Sequence, residues 1–250
     1  MGSLDGQVAI VTGGGSGIGE ATAIALAREG ARVAVAGRRP QPLEEVVDRV
    51  TAAGGTAVAT PLDVADPEAV SAVTRDVVDR WGRVDLLVNN AGINVPRRGL
   101  ENMTVGDWNV VVQINLTGTF LMTQAVLPFM RSQQAGTVVN VSSIAGYRPS
   151  ALSGVAYNAT KAGVNAFTES INLTERRHGI RACALCPGEV ATPILDRRPK
   201  PPTAESREAM LQPEDLAATI LFVAALPQRA TVELLTIQPT VQRDVSAELA

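Results

Sequence analysis

Histidine occurs once in the 250 residues and cysteine only twice, which removes most metal and serine-triad chemistry at the outset. A structural zinc site takes about four ligands, more than this chain offers in any one place. Cys183 and Cys186 do form a C-x-x-C match, but the surrounding RACALCPG reads as a strand, whose alternation sends the two sulfurs to opposite faces. They are expected to be buried small residues rather than ligands or a redox pair. His178 precedes Gly179 and reads as the C-terminal residue of a helix, where a cationic side chain suits the helix dipole. No apolar run reaches the ~18 residues of a membrane span. The N-terminus, MGSLDGQVAI, lacks a basic region followed by an apolar one, so a cytoplasmic location is expected. Asn-x-Ser/Thr occurs at Asn102, Asn115, Asn140, Asn158 and Asn172, and without a secretory signal none is a credible glycosylation site. A net charge of -3 offers no general attraction to nucleic acid or to an anionic membrane.

What is present is a rhythm. With 46% apolar residues the chain can bury a sizeable core, and no repeat, low-complexity tract or long linker divides it; one domain spanning residues 1–250 is expected. Gln7–Thr12 is a short apolar strand running into Gly13-Gly-Gly-Ser-Gly17-Ile18-Gly19, and Glu20–Glu29 then reads as a helix ending at Gly30. Strands are predicted over Arg32–Ala36, Thr56–Thr60, Val84–Val88, the run at Val138–Val141, Ile180–Leu185 and Val232–Ile237. Helices are predicted over Pro42–Ala53, Pro67–Trp81, Val105–Met130 and Pro213–Leu226, the second with Asp66 as N-cap and Pro67 at N1. Strictly alternating elements imply an α/β fold: a doubly wound, Rossmann-type, seven-stranded parallel sheet with helices on both faces and ligands at the carboxyl ends of its strands. The glycine-rich turn between a strand and a helix is a phosphate cradle, since glycine lets the backbone approach a pyrophosphate and the helix start offers free N–H groups.

The chemistry gathers between Val138 and Lys161. A strand ends in Ser142-Ser143, a loop rich in Gly, Pro and Ser follows, and then comes Tyr157-Asn-Ala-Thr-Lys161. On a helix Tyr157 and Lys161 share one face. A phenol titrates near 10, and a lysine ammonium beside it favours the phenolate. Ser143 then serves to hold a substrate oxygen near the tyrosine hydroxyl. A proton donor, a tuning charge and an orienting hydroxyl make carbonyl–alcohol chemistry.

Taken together, these motifs make the chain resemble the short-chain dehydrogenase/reductase family over nearly its whole length. The family's T-G-x-x-x-G-x-G falls on Thr12, Gly13, Gly17 and Gly19, its Asp-Val on Asp63-Val64, and its N-N-A-G on Asn89–Gly92. P-G-x-V-x-T falls on Pro187, Gly188, Val190 and Thr192, and the catalytic set on Asn115, Ser143, Tyr157 and Lys161. The resemblance implies a cofactor held by Thr12, Gly13, Gly17, Ile18, Gly19, Arg38, Asp63, Val64, Asn90, Ala91 and Gly92. Tyr157, Lys161, Pro187, Gly188, Val190 and Thr192 complete that set. It implies Tyr157 as acid and base, Lys161 lowering its pKa, Ser143 polarising the carbonyl and Asn115 holding a relay water. It also implies a homo-oligomer, tetramer or dimer. The C-terminal VELLTIQPTVQRD departs from the commoner family ending and looks more like a subgroup acting on small hydroxy acids.

Two expectations concern specificity. A carboxylate at the end of strand two holds the 2′-hydroxyl of NAD, whereas an arginine accommodates the 2′-phosphate of NADP. Here that place carries Gly37-Arg38-Arg39, which points to NADP, with NAD as the alternative. Loops expected to face the nicotinamide carry Asn94, Arg97, Arg98, Arg148, Arg197, Arg198 and Lys200, with Ile93, Ile194 and Leu195 as apolar wall. These suit a small-molecule substrate with an acid group, a hydroxy or oxo acid. A neutral sugar, polyol or steroid-like alcohol is the rival, and a nucleotide-sensing regulator without turnover is the reading from another class.

Overall fold

The computed structural model describes residues 2–249; Met1 and Ala250, the ends of the expected domain, lie outside the described residues. The predicted strands form β1 (Val8–Thr12), β2 (Arg32–Gly37), β3 (Thr56–Pro61), β4 (Leu86–Asn89), β5 (Gly136–Val141), β6 (Ile180–Pro187) and β7 (Leu234–Ile237). All pair in parallel, in the order β3-β2-β1-β4-β5-β6-β7. The chain therefore winds outward in both directions from β1 and β4, and the crevice between their carboxyl ends is the place such sheets bind ligands.

Side chains alternate across the strands, and the two faces carry separate cores. Ala9, Val11, Val33, Val35, Val139 and Leu185 pack beneath α1 (Gly17–Arg28), α2 (Pro40–Ala52) and α8 (Pro213–Ala225). Val8, Ile10, Ala34, Leu87, Val138 and Ala182 face α3 (Pro67–Trp81), α5 (Gly118–Gln133) and α6 (Val155–Glu175). Cys183 belongs to the first core, and both thiols are free and buried. Asp66 caps α3 as expected, accepting from the N–H groups of Glu68 and Ala69. His178 ends a short 3-10 turn before Gly179, whose φ of 67° closes it. Two short helices, α7 (Ala204–Glu208) and α9 (Ser246–Leu249), were not signalled by periodicity.

The helix expected over Val105–Met130 differs in kind. It is α4 (Val105–Val112), a turn of π-helix (Gln113–Thr117) and then α5, running on to Gln133. By length and composition the stretch Val105–Gln133 is apolar enough to cross a membrane, although scattered Asn, Thr and Gln break any continuous run. In the fold Val111, Ile114, Met122, Val126 and Met130 are buried. A polar ladder also ties it to the sheet. Asn89 Nδ2 donates to Thr123 Oγ1 (3.1 Å) and Asn140 Oδ1 (2.9 Å), and Asn140 Nδ2 donates to Thr168 Oγ1 on α6 (2.8 Å). Buried polar groups joined in this way fix the register of α5 and α6 on β4 and β5.

β6 itself carries Arg181, which is 4% exposed. Its Nε donates to Thr137 Oγ1, Nη1 to the carbonyls of Pro227 and Ala230, and Nη2 to those of Val223, Ala224 and Leu226. Its Nη groups are thus spent on the carbonyl end of α8 and the turn after it, where a cation is electrostatically welcome, while Nε is held by β5.

Candidate active site

A cavity of about 930 Å³ opens at the carboxyl ends of the strands. Its floor begins at the glycine turn. Gly13 has a φ of +63°, where a side chain is strained, and a Cβ on Gly19 would lie 2.2 Å from the Gly13 carbonyl oxygen. The turn therefore closes tightly and presents Gly13, Ser16, Gly17 and Ile18 to the cavity at the head of α1. Ser16 makes no side-chain cap there. The first N–H groups of α1 and the absence of side-chain bulk at the turn fit a pyrophosphate. Arg38 and Arg39, both exposed, line the same cavity just past the end of β2.

Thr12, by contrast, is buried and works as a strut. Its hydroxyl accepts from the N–H groups of Asn90 and Ala91, both at 3.0 Å, and donates to Val88 O at 3.3 Å. Asn90 Nδ2 returns to the carbonyls of Thr12 (3.0 Å) and Gly13 (3.2 Å). One residue at the end of β1 thereby sets the path of Asn90–Gly92 along the cavity wall.

Tyr157 and Lys161 lie on α6 one turn apart, with Lys161 Nζ 5.4 Å from the centre of the phenol ring. Ser143, just past the end of β5, lines the cavity with the phenol and accepts from Ala145 N (3.1 Å), while Ser142 donates to Lys161 O (3.1 Å) and so points elsewhere. The tyrosine is half-buried as a residue, with its hydroxyl deep in the cavity. Burial pushes the phenol up to about 12, against the Ser143 hydrogen bond and the charges of Arg198 and Arg98. Lys161 is itself brought down to about 8 by burial, and its Nζ donates to Val141 O at 2.7 Å. Lys161 holds its ammonium over the ring, and Arg98 and Arg198 are two further cations that favour the phenolate.

Asn115 sits in the π turn, 1% exposed. Its Oδ1 accepts from Ile93 N (2.8 Å) and its Nδ2 donates to Ile93 O (2.9 Å), which ties the π turn to the loop after β4. Pro187, Gly188, Val190 and Thr192 line the cavity with Asn90, Ala91 and Gly92, whereas Thr12, Gly19, Asp63, Val64 and Asn115 stand outside its lining. Asp63 accepts from Ala65 N and Val64 packs on Gly118.

The basic residues sort by partner. Arg97, outside the lining, pairs with Asp107 (2.8 Å), and Lys200 is outside it too. Arg148 lies over the Tyr147 ring. Asn94 donates to Ser153 O (2.8 Å). Arg98 lines the cavity at 7% exposure and reaches only carbonyls: Nε to Val95 O (3.0 Å), Nη1 to Leu152 O (2.9 Å) and Nη2 to Arg197 O (2.9 Å). Burial and the neighbouring Arg198 charge lower it to about 10, so it is a cation at neutral pH. Sequence reasoning missed Ser16, Glu189 and the C-terminal residues Gln238–Arg243 of the lining. Ser16 stands inside the glycine motif and was findable; the others carry no local signal.

Comparison with known proteins agrees with this geometry. A family model described as short chain dehydrogenase matches residues 7–202. A 3-oxoacyl-(acyl-carrier-protein) reductase of Synechocystis sp. is 37% identical over 237 residues, covering 93% of this chain and 94% of the relative. The crystal structure of a metagenomic short-chain oxidoreductase in complex with NADP superposes with a TM-score of 0.83 at 32% identity, covering 96% of this chain and 100% of the other. A short-chain dehydrogenase/reductase structure from Burkholderia xenovorans gives a TM-score of 0.88 at 32% identity, covering 96% and 97%.

Proposed function

This chain belongs to the short-chain dehydrogenase/reductase family and is an NAD(P)-dependent oxidoreductase, and on that premise we propose that it uses NADP to interconvert a secondary alcohol and its carbonyl on a substrate bearing an acid group. The observation that carries the reaction is that Ser143, Tyr157 and Lys161 line the same cavity as the glycine turn, with the ammonium over the phenol ring. Gly13, Gly17, Ile18 and the head of α1 would hold the pyrophosphate, with Gly19 keeping the turn tight behind them. Asn90, Ala91, Gly92, Pro187, Gly188, Val190 and Thr192 would meet the nicotinamide half, and Asp63 and Val64, outside the lining, the adenine. Bound nicotinamide supplies the hydride to the carbonyl carbon, or takes it from the alcohol.

In reduction Ser143 donates a hydrogen bond to the carbonyl oxygen, and the Tyr157 hydroxyl passes that oxygen its proton. The phenolate left behind faces the positive charges of Arg98 and Arg198, which favour it. Asn115 keeps the loop at Ile93 in place behind the reacting groups. Tyr157→Phe tests the assignment: kcat should fall by about 10²–10⁴ with the NADP dissociation constant nearly unchanged. Full turnover in that variant refutes it.

NADP is favoured over NAD by Arg38 and Arg39, which face the cavity where an NAD enzyme needs a carboxylate, and the metagenomic relative was crystallised with NADP. Arg38→Ala should weaken NADP at least tenfold and leave NAD nearly unaffected. Equal or tighter binding of NAD than NADP by the unaltered protein overturns this reading.

Arg98 supports the acid. Three of its five N–H groups are spent on carbonyls, and among the described residues no carboxylate pairs with it. Arg181, equally buried, engages its whole fork inside the protein, away from any cavity. A buried cation facing open space with donors to spare suits a carboxylate, which makes strong charge-assisted bonds to guanidinium. A keto acid should be preferred over its methyl ester by about tenfold or more in kcat/KM, and Arg98→Gln should erase the preference. Equal turnover of the two by the unaltered protein sinks it. Exposed Trp108, Phe120 and Leu173 on α4, α5 and α6 support assembly as a homo-oligomer, which light scattering reads.

A further inference from the structure

Part of the cavity wall is made late in the chain. Gln238, Pro239, Val241, Gln242, Arg243 and Val245 line it, following directly from β7. The segment starts against the Pro187–Gly188 turn, where Gly188 N donates to Ile237 O (2.8 Å). Beyond that it is fastened by charge. Arg243 reaches both oxygens of Glu189, with Nε to Oε2 at 2.8 Å and Nη2 to Oε1 at 2.6 Å. Arg243 also pairs with Glu248. Arg198 closes the circuit, Nη1 to Glu248 Oε2 at 2.7 Å and Nη2 to Glu189 Oε1 at 2.9 Å.

The four charges form a closed ring, alternating in sign and neutral in sum. Arg198, Arg243 and Glu248 are 10–12% exposed at the side chain and Glu189 is 25%. Pairs this sheltered are screened by salt far less than surface pairs. The ring joins three segments distant in sequence: the turn after β6, the end of the 3-10 stretch Pro193–Arg197, and the C-terminal segment. It is also delicately balanced, because Arg98 lies close enough to Arg198 for the two charges to repel. Losing one carboxylate leaves two guanidinium groups against a single glutamate, with a third cation alongside.

We infer that Gln238, Pro239, Val241, Gln242 and Val245 form a wall of the substrate subsite, latched shut by the Glu189–Arg243–Glu248–Arg198 ring, and that this latch selects carbonyl substrates by their length. The inference rests on the oxidoreductase reading above and deepens it. A short substrate fits beneath the closed wall. A longer one has to displace the segment and separate charges that are already desolvated, which is costly. Glu189, Arg243 and Glu248 thus act through the position of the wall, as positioning residues, whereas Arg198 also lends its charge to the Tyr157 phenolate.

The test compares the unaltered chain with Glu248→Gln, with a chain ending after Thr240, and with Asp244→Asn. Asp244 neighbours Arg243 but, among the described residues, bonds only to Ser246 within its own turn, and so serves as the matched control. A series of oxo acids of increasing chain length, followed by NADPH consumption, should show kcat/KM falling with length in the unaltered chain and in Asp244→Asn. In Glu248→Gln and the shortened chain the long-to-short ratio should rise at least tenfold. Amide hydrogen exchange over residues 238–248 supplies a readout independent of turnover, and it should quicken in Glu248→Gln alone among the two point variants. Superimposable length profiles overturn the selection by length, and unchanged exchange in Glu248→Gln overturns the latch. If the unaltered chain reduces no member of the series, the oxidoreductase substrate reading fails, and the exchange comparison still decides the latch.

Discussion

Replacing Thr12 with valine changes one hydroxyl for a methyl of nearly the same size, at a position where the consequences can be worked out. The hydroxyl accepts from two backbone N–H groups, Asn90 and Ala91, at 3.0 Å each. Valine leaves both donors without that acceptor, in a place where Thr12 itself is 1% exposed. A buried donor left unsatisfied costs about 1–3 kcal/mol. Asn90 and Ala91 are only part-buried, so the lower half of that range applies to each, and the sum is about 2–4 kcal/mol. For a domain of this length that lowers Tm by about 4–16 °C. Part of the loss should appear in cofactor binding, because Asn90–Gly92 line the cavity and lose their fixed path. Denaturant unfolding and NADP titration, run side by side, read both. Thr12→Ser keeps the acceptor and should recover stability to within about 1 kcal/mol of the parent. If the valine variant is within about 0.5 kcal/mol of the parent and binds NADP equally well, the strut argument is wrong.

Two further outcomes follow from the buried cations. Arg181→Met removes the donor fork from the end of α8 and leaves several carbonyls there unanswered, so unfolding free energy should drop by about 3–5 kcal/mol; a thermal shift of under a degree or two refutes the capping role. Lys161 is depressed from 10.5 to about 8, so the native state resists its charge: the penalty is complete below pH 8, fades between pH 8 and 10.5, and amounts to about 3 kcal/mol. Lys161→Met should therefore stabilise the cofactor-free protein at neutral pH while abolishing turnover, with the gain shrinking as pH rises through that window. A gain independent of pH across it contradicts the assignment to burial.

Much of the fold is legible because local pattern and tertiary role agree. Val8–Thr12 and Val138–Val141 are apolar and β-branched where the sheet is covered on both faces, and Asp66-Pro67 starts a helix wherever it is placed. The site is legible where chemistry is contiguous, as in the glycine turn and Tyr157–Lys161. What escapes is decided by distance and by desolvation. Glu189, Arg198, Arg243 and Glu248 meet only after folding, and nothing in their neighbours announces it. Arg97 and Arg98 are adjacent and chemically identical, yet one pairs with Asp107 near the surface and the other is buried against carbonyls. The i,i+4 spacing of Tyr157 and Lys161 put them on one face of α6, whereas the bond from the ammonium to Val141 O depends on β5 and had no local signal.

The π turn at Gln113–Thr117 carries a consequence for how this helix tolerates change. A single π turn is equivalent to one residue inserted into an α-helix, which rotates everything after it by about 100° relative to everything before. α4 and α5 are thus phased independently, and no single stripe of 3.6-residue periodicity runs through both. The insertion also stores an obvious way back: deleting one residue anywhere in the turn lets the helix heal into continuous α geometry. Healing swings Asn115 away from Ile93, or else drags Met122, Val126 and Met130 out of their places against the sheet. Substitutions within this segment should therefore be far better tolerated than length changes, and the segment's most constrained property is its residue count rather than its composition.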